Sequence, residues 1–403
     1  MPFAETCRME QRVLMLAEWD TGAFSVSELC RRYGVSRDVF YHWRARRDGG
    51  AADWFEDGSH APLRCPHRTP EEVAERVVAA KLRFPHFGPK KVLAVLRREE
   101  PGLAWPAAST IGAILDGRGL VRRRRRRRGI VEQGSVEGPA DDLHAEWSMD
   151  FKGWFRTRDG ARCDPLTVSE RASRYLVAVR IVPAREEAVR PVLERAFREH
   201  GLPDAMRLDN GPPFGSPGAG GLSRLGVWLL KHGVRPHYIF PSSPQENGRH
   251  ERMHRTLKAQ TADPPAADPA AQQARFDTFR RHYNEERPHE ALGQATPASL
   301  WRPSPRRFPQ RPLEPDYPQG AVVRRVRSNG EIKWRGGFLF VSETLIGERV
   351  CVQDTARGHV VRFHDHELGL IDAANRFRRF APLRHRLREA AEADTKVSTI
   401  IPV

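Results

Sequence analysis

The chain has 403 residues, which is enough for two or three domains that each have a core. Its formal net charge of +16 predicts attraction to nucleic acid or anionic membranes and suits few other partners, and of these two nucleic acid is favoured. The sequence contains no run of eighteen apolar residues and no secretory signal pattern, so we expect a cytoplasmic protein with DNA and no membrane as partner. Five scattered cysteines without a CxxC pair indicate reduced thiols.

Residues 1–48 predict three helices of the helix-turn-helix kind. Ser27 is a candidate cap for the second helix, Gly34 suits the left-handed position that ends it, and Ser36 can cap the third. The third helix carries the candidate DNA contacts Arg37, Tyr41 and Arg44. The alternative is a three-helix bundle whose basic face is only solvated.

Residues 49–68 have the composition of a linker, and residues 69–121 predict a second helix-turn-helix unit. Its candidate phosphate contacts include Lys90 and Lys91. Residues 122–143 form an arginine-rich linker, which predicts a DNA-binding strap with steeply salt-dependent affinity, although a solvated linker is the alternative. The candidate contacts in this run are Arg122, Arg123, Arg124, Arg125, Arg126, Arg127 and Arg128.

From residue 144 to residue 302 strands and helices alternate, which predicts a mixed α/β layer. Asp150 lies on an early strand in WSMDFKGW, and Asp209 ends a later one in RLDNGPPF. Glu251 lies on a predicted helix whose same face carries Arg255 and Lys258, four and seven residues further on.

Three carboxylates favour Mg²⁺ or Mn²⁺, and the sequence shows no His/Cys cluster that would favour zinc. Two such ions can activate the attacking oxygen and stabilise the leaving oxygen at a phosphodiester. In this prediction Asp150 bridges both ions, Asp209 and Glu251 complete one each, and Arg255 and Lys258 hold phosphates. Taken singly, each acid has an ordinary explanation as a turn residue or an ion-pair partner. Glu246 competes with Glu251, but SPQE gives it a capping role.

The remaining residues predict three further segments. Residues 303–319 are a proline-rich linker, residues 320–375 alternate as five short strands of a small β-barrel, and residues 376–403 are a basic tail.

Four motifs in order give the chain a resemblance to bacterial insertion-sequence DDE transposases with a retroviral-integrase-type catalytic core. They are WSMDFKG, RLDNGPPF, SPQENGRHERMHRTLK and YNEERPHEALGQATPASLW. The resemblance implies a multidomain protein with a ribonuclease-H-like core and a polynucleotidyl transferase activity. It further implies that Asp150, Asp209 and Glu251 are metal ligands. The implied reaction is binding of terminal inverted repeats, strand cleavage, and transfer into target DNA by a homo-oligomer.

One departure from the family pattern concerns spacing. The 41 residues between Asp209 and Glu251 exceed the usual gap, and the excess is expected in the glycine-rich segment GSPGAGGLSRLG. Two alternatives stay open: a transposase-derived DNA-binding regulator without catalysis, and a metal-dependent nuclease without joining activity.

Overall fold

The computed structural model describes residues 7–50, 52–58, 68–121, 142–239 and 248–380. The arginine run, Glu246 and most of the predicted basic tail lie outside these residues. The chain divides into two compact units, 1–69 and 70–403. Within the described part of the chain, no helix is both long and apolar enough to cross a bilayer.

The first unit contains three helices, α1 (Arg8–Asp20), α2 (Val26–Tyr33) and α3 (Arg37–Asp48). Gly34 ends α2 in the left-handed conformation, and the Ser36 side chain accepts from Val39 N at the start of α3. The predicted cap of α2 is wrong, because Ser25 forms the capping box with Glu28. Ser27 is already inside the helix.

The second unit begins with α4 (Glu71–Arg83), α5 (Pro89–Glu99) and α6 (Ala108–Gly117). These helices pack around an apolar core that contains Val77, Val92, Leu96 and Ile111. Both helical units predicted near the N-terminus are therefore formed, whereas their assignment as helix-turn-helix units stays a prediction.

A five-stranded sheet forms the core, in the order β5, β4, β1, β6, β7. Strands β4 and β5 continue β1 as antiparallel neighbours, and β6 and β7 pair with it in parallel. The predicted mixed α/β layer is present. Its strands are β1 (Glu146–Phe151), β4 (Pro165–Glu170), β5 (Leu176–Ile181), β6 (Ala205–Leu208) and β7 (Arg235–Tyr238), with a short hairpin of β2 (Phe155–Arg156) and β3 (Arg162–Cys163).

Helices cover both faces of this sheet. On one face, Leu193 and Phe197 of α7 and Trp228 of α8 pack against Trp147 and Met149. On the other face, Met253 of α9 and Phe276 of α10 pack against β5. The helices are α7 (Glu186–His200), α8 (Arg224–Lys231), α9 (Gly248–Leu257), a π-helical turn (Lys258–Ala262), α10 (Pro269–Glu285) and α11 (Pro297–Leu300).

The C-terminal strands form an open antiparallel sheet in the order β14, β13, β12, β11, β8, with a separate hairpin of β9 and β10. The predicted closed barrel is not formed by the described strands. The apolar face of the sheet is covered by Leu222, Val227 and Leu230 of the core, so it does not have to close on itself. The strands are β8 (Val322–Arg325), β9 (Glu331–Trp334), β10 (Gly337–Phe340), β11 (Arg349–Thr355), β12 (Gly358–Phe363), β13 (His366–Ile371) and β14 (Phe377–Arg379).

The glycine-rich segment after Asp209 forms part of this contact. Gly220 N donates to Phe380 O at 3.0 Å, and His366 Nε2 donates to Gly220 O at 3.0 Å. Gly220 has φ +64°, and a Cβ there would lie 2.6 Å from His366 Nε2. Only glycine therefore fits at this position.

Candidate active site on the polar face of the core sheet

Asp150 and Asp209 lie on adjacent parallel strands. Ser148 of β1 is paired with Arg207 of β6, and each acid comes two residues after one of these partners. Residues two apart on a strand share a face, and neighbouring strands are about 4.8 Å apart. The strand register therefore sets the two acids side by side at the carboxyl ends of the strands.

Asp209 is partly buried in the turn that follows β6. Its Oδ1 accepts from Gly211 N at 2.9 Å. Burial raises the pKa of Asp209, and the bond from Gly211 lowers it by a smaller amount. A partly buried carboxylate of this kind gains from a nearby cation, which would offset its loss of hydration.

Glu251 lies in the first described turn of α9 and is exposed, as are Arg255 and Lys258. The opposite face of α9 is buried by His250, Met253, His254 and Leu257. This segment therefore presents Glu251, Arg252, Arg255 and Lys258 to solvent, which includes the acid and both cations singled out from the sequence, while the buried face of α9 fixes it on the sheet.

Thr167 joins α9 to the strand that carries Asp150, because it is the direct partner of Asp150 across β1 and β4. Its Oγ1 donates to the Asp150 main-chain oxygen at 3.0 Å. Thr167 Oγ1 also lies 2.6 Å from His250 Nε2 and 2.7 Å from His254 Nε2. A hydroxyl has one proton, so both imidazoles donate their Nε2 protons to it. We call this arrangement the Thr167 clamp.

Burial lowers the pKa of His250 to about 3, and burial followed by the charges of His250 and Lys152 lowers the pKa of His254 to about 2. Both rings are therefore neutral at physiological pH. His250 Nδ1 lies 3.2 Å from Ser169 Oγ and can accept from that hydroxyl. The clamp is thus a satisfied buried network rather than a pair of charges.

The absence of a His/Cys cluster, as predicted from the sequence, is wrong. Potential ligand atoms of Asp150, His250 and His254 lie within 4.8 Å of one another. The missed signal was the H-E-x-x-H spacing of HERMH, which sets two histidines on one helical face. In this protein the Thr167 hydroxyl lies 2.6 Å from His250 Nε2 and 2.7 Å from His254 Nε2, so both nitrogens already have a hydrogen-bond partner.

Asp150 and Asp209 follow adjacent strands of the sheet, whereas Glu251 lies on the exposed face of α9, which the Thr167 clamp joins to β1. Among the described residues, the only potential ligand set with all atoms within 4.8 Å contains Asp150 and the two histidines. Like-charged carboxylates repel one another, and a cation between them favours their approach. Oxygen donors from two strand ends and an exposed helix suit a hard divalent ion.

Lys152 is a candidate phosphate contact that the sequence analysis missed. Burial lowers the pKa of Lys152, and the charge of Lys258 lowers it further, whereas Asp150 raises it. Lys152 and Lys258 line a common small cavity. The sequence signal for Lys152 is its position two residues after Asp150, because side chains two residues apart lie on the same face of an extended strand.

Glu146 is the centre of a buried ion network on the same face. Its carboxylate lies 2.7 Å from Arg207, 2.8 Å from Arg171 and 2.9 Å from His237 Nδ1. Burial raises the pKa of Glu146, but His237, Arg207 and Arg171 together lower it to about 2. The network ties β1, β6 and β7 together below the two acids.

The predicted contacts of the first unit have structural partners. Arg37 donates to Ser27 Oγ, and the Arg44 guanidinium carbon lies 4.2 Å from the centre of the Trp19 ring. Tyr41 is exposed. All three residues lie on α3, and their contact with DNA stays a prediction.

In the second unit, Lys90 Nζ lies 2.7 Å from Glu290 Oε1. Lys91 is half-buried, and burial, followed by the charge of Arg287, lowers its pKa to about 8. Residues 122–128 lie outside the described chain. The two lysines thus face the core, at the segment that follows α10.

Comparison with known proteins gives concordant findings. Residues 232–297 match the family model of the integrase core domain. A 39.2 kDa protein of insertion element IS476 from Xanthomonas euvesicatoria is 26% identical over 67% of this chain and 70% of its own length. A 31.7 kDa protein of insertion element IS407 from Burkholderia multivorans is 27% identical over 67% of this chain and 88% of its own length. The predicted family resemblance is confirmed.

The integrase core match includes α9, and therefore Glu251, but it begins after Asp150 and Asp209. Among solved structures, the catalytic core domain of BIV integrase is similar, at 20% sequence identity and a TM-score of 0.30. The likeness covers 39% of this chain and 93% of that one.

Proposed function

We propose that the protein is an insertion-sequence transposase that cuts DNA at the element's terminal inverted repeats and joins the freed 3′-hydroxyl to target DNA. The observation that carries this proposal is the register of β1 and β6, which sets Asp150 beside Asp209. The integrase core match at Glu251 and the two insertion-element relatives support it.

In this proposal Asp150, Asp209 and Glu251 hold the metal within a ribonuclease-H-like core. When bound, Mg²⁺ or Mn²⁺ supplies Lewis-acid stabilisation to the attacking and leaving oxygens. Arg255, Lys258 and Lys152 hold phosphates of the cut strand, because Arg255 follows Glu251 by one helical turn and Lys152 and Lys258 line one cavity near Asp150. The Thr167 clamp keeps α9 in register with Asp150.

The proposal assigns DNA recognition to the helices before the core. Arg37, Tyr41 and Arg44 on α3 contact the terminal repeats, and the arginine run contacts phosphates. Assembly as a homo-oligomer on DNA brings two element ends together.

A strand-transfer assay tests the proposal. The substrate is a labelled duplex from the DNA that flanks the coding sequence, incubated with Mg²⁺ or Mn²⁺. Asp209→Asn and Glu251→Gln should bind this duplex but lose at least about a hundredfold in joined product, because Lewis-acid stabilisation is worth several kcal/mol.

Glu187→Gln is the matched control, since Glu187 is an exposed acid in the first turn of core helix α7. It should join DNA as wild type does. Binding by wild type without metal-dependent product would favour the non-catalytic regulator. Loss of activity in Glu246→Gln alone would mean that Glu251 is not the third acid.

A further inference from the structure

A cleft of about 480 Å³ lies between the turn that joins α4 to α5 and helix α10. No aspartate or glutamate lines it. Its basic lining residues are Arg83, His86, Arg275, His282 and Arg287. Basic residues of α4, of α10 and of the YNEERPHE motif thus meet in this cleft. The proposed chemistry gives the YNEERPHE motif no role.

Aromatic rings form the floor of the cleft and hold the cations in place. The Arg287 guanidinium carbon lies 5.7 Å from the centre of the Phe87 ring, and Lys91 Nζ lies 5.8 Å from the same ring. Phe84, Phe87 and Tyr283 are themselves buried. These buried rings leave nucleic-acid bases nothing to stack on, so the cleft offers a ligand its cationic side chains.

The positive charge of the cleft is only partly balanced. Arg83 pairs with Glu99, and His282 Nε2 lies 3.6 Å from Glu286. Arg275 donates to the main-chain oxygen of Pro264 at 2.8 Å. Throughout the described ranges, no carboxylate lies within 4.0 Å of the guanidinium of Arg275 or Arg287. The unbalanced charge, with half-buried Lys91 beside it, favours an anionic ligand.

The π-helical turn Lys258–Ala262 connects the cleft to the candidate active site. Thr261 lines the cleft and also lines the small cavity that contains Lys152 and Lys258. π-helical turns are often found at functional sites, since they displace side chains from regular helical positions. The turn therefore lies between the cleft and the cavity that contains Lys152 and Lys258, the candidate phosphate contacts next to Asp150.

We infer that the cleft binds the sugar-phosphate backbone of the DNA strand that leaves the candidate active site. The identity of this ligand rests on the proposed function, and the site is separate from the three acids. Charge and position together favour DNA over an acidic protein segment, because only DNA has to reach the acids as well.

The test measures binding of the full chain to a fluorescently labelled duplex from the flanking DNA, in EDTA and over a series of salt concentrations. Arg275→Gln and Arg287→Gln should each weaken binding several-fold. Each should also reduce the slope of log K against log salt by about 0.9, the value for one phosphate contact. Arg275 is exposed, so its variant keeps the fold even if Arg287→Gln does not.

Arg281→Gln is the matched control, because Arg281 is exposed on the same helix but does not line the cleft. It should retain the wild-type slope. An equal loss in this control, or an unchanged slope in Arg275→Gln, would overturn the inference.

The EDTA condition separates this inference from the proposed function. Wild type that binds DNA but yields no joined product refutes the transposase proposal and leaves the cleft result standing. If wild type joins DNA but the cleft variants bind the duplex as tightly as wild type does, only the inference about the cleft is refuted. Wild type that does not bind the duplex refutes both.

Discussion

The two faces of the core sheet differ in their buried polar groups, although apolar clusters pack on both of them. Below α7 and α8 the contacts are apolar, as between Leu193 and the core around Trp147. The face that carries Asp150 also contains four buried polar residues, each of which depends on specific partners. They are Glu146, Thr167, His250 and His254. Apolar packing tolerates a change of shape at constant volume, whereas a buried polar group without its partner is costly. The face with the candidate site should therefore be the less tolerant of substitution.

The largest effect on stability is expected at Glu146. Glu146→Gln removes the buried negative charge shared by Arg171, Arg207 and His237, and should reduce the free energy of unfolding by about 3–5 kcal/mol. Urea denaturation measures this loss. Glu194→Gln, which removes a solvent-accessible ion-pair partner on α7, should cost at most about 1 kcal/mol. Equal losses of unfolding free energy in Glu146→Gln and Glu194→Gln would contradict the conclusion that the face with the candidate site is the less tolerant of substitution.

The next effect is expected at the Thr167 clamp. Thr167→Val keeps the side-chain volume but leaves two imidazole donors without their acceptor, at about 1–3 kcal/mol for each buried group left unpaired. Thr167→Ser keeps the hydroxyl and should restore most of this loss. If valine and serine are equally tolerated in urea denaturation, the clamp does not hold α9 on the sheet.

A fall in pH should reduce the folding stability of the protein through the buried histidines of the face that carries Asp150. His250 has a folded-state pKa of about 3, against an ordinary value of 6.5, so only the unfolded chain takes up its proton between these pH values. Stability is therefore lost as pH falls below 6.5, by about 1.4 kcal/mol per pH unit for this group. His254 contributes with the same sign. In His250→Gln the slope of unfolding free energy between about pH 6 and pH 4 should be smaller by that amount, and an unchanged slope would show that His250 is not buried as a neutral ring.

The smallest effect is expected on the apolar face. Leu193→Met conserves volume in a fully buried position and should cost less than about 1.5 kcal/mol. Urea denaturation beside Thr167→Val gives the direct comparison. A larger loss at Leu193 than at Thr167 would reverse the conclusion drawn from the two faces.

Sequence patterns predicted the parts of this protein that depend on neighbouring residues. Gly34 and Ser36 mark helix ends because caps are local, and Asp209 is visible because a turn follows its strand. The Thr167 clamp joins residues more than eighty positions apart, so no local pattern reveals it. The predicted barrel is not confirmed for the same reason, since alternation along a strand does not tell whether a sheet closes or packs on another part of the protein.

The tight fit at Gly220 limits how the protein can be rebuilt or diverge. Residues near 220 and near 366 are far apart in the chain but must change together, because any side chain at Gly220 would overlap His366. A chimera that exchanges the C-terminal sheet between relatives would therefore have to exchange the segment after Asp209 as well.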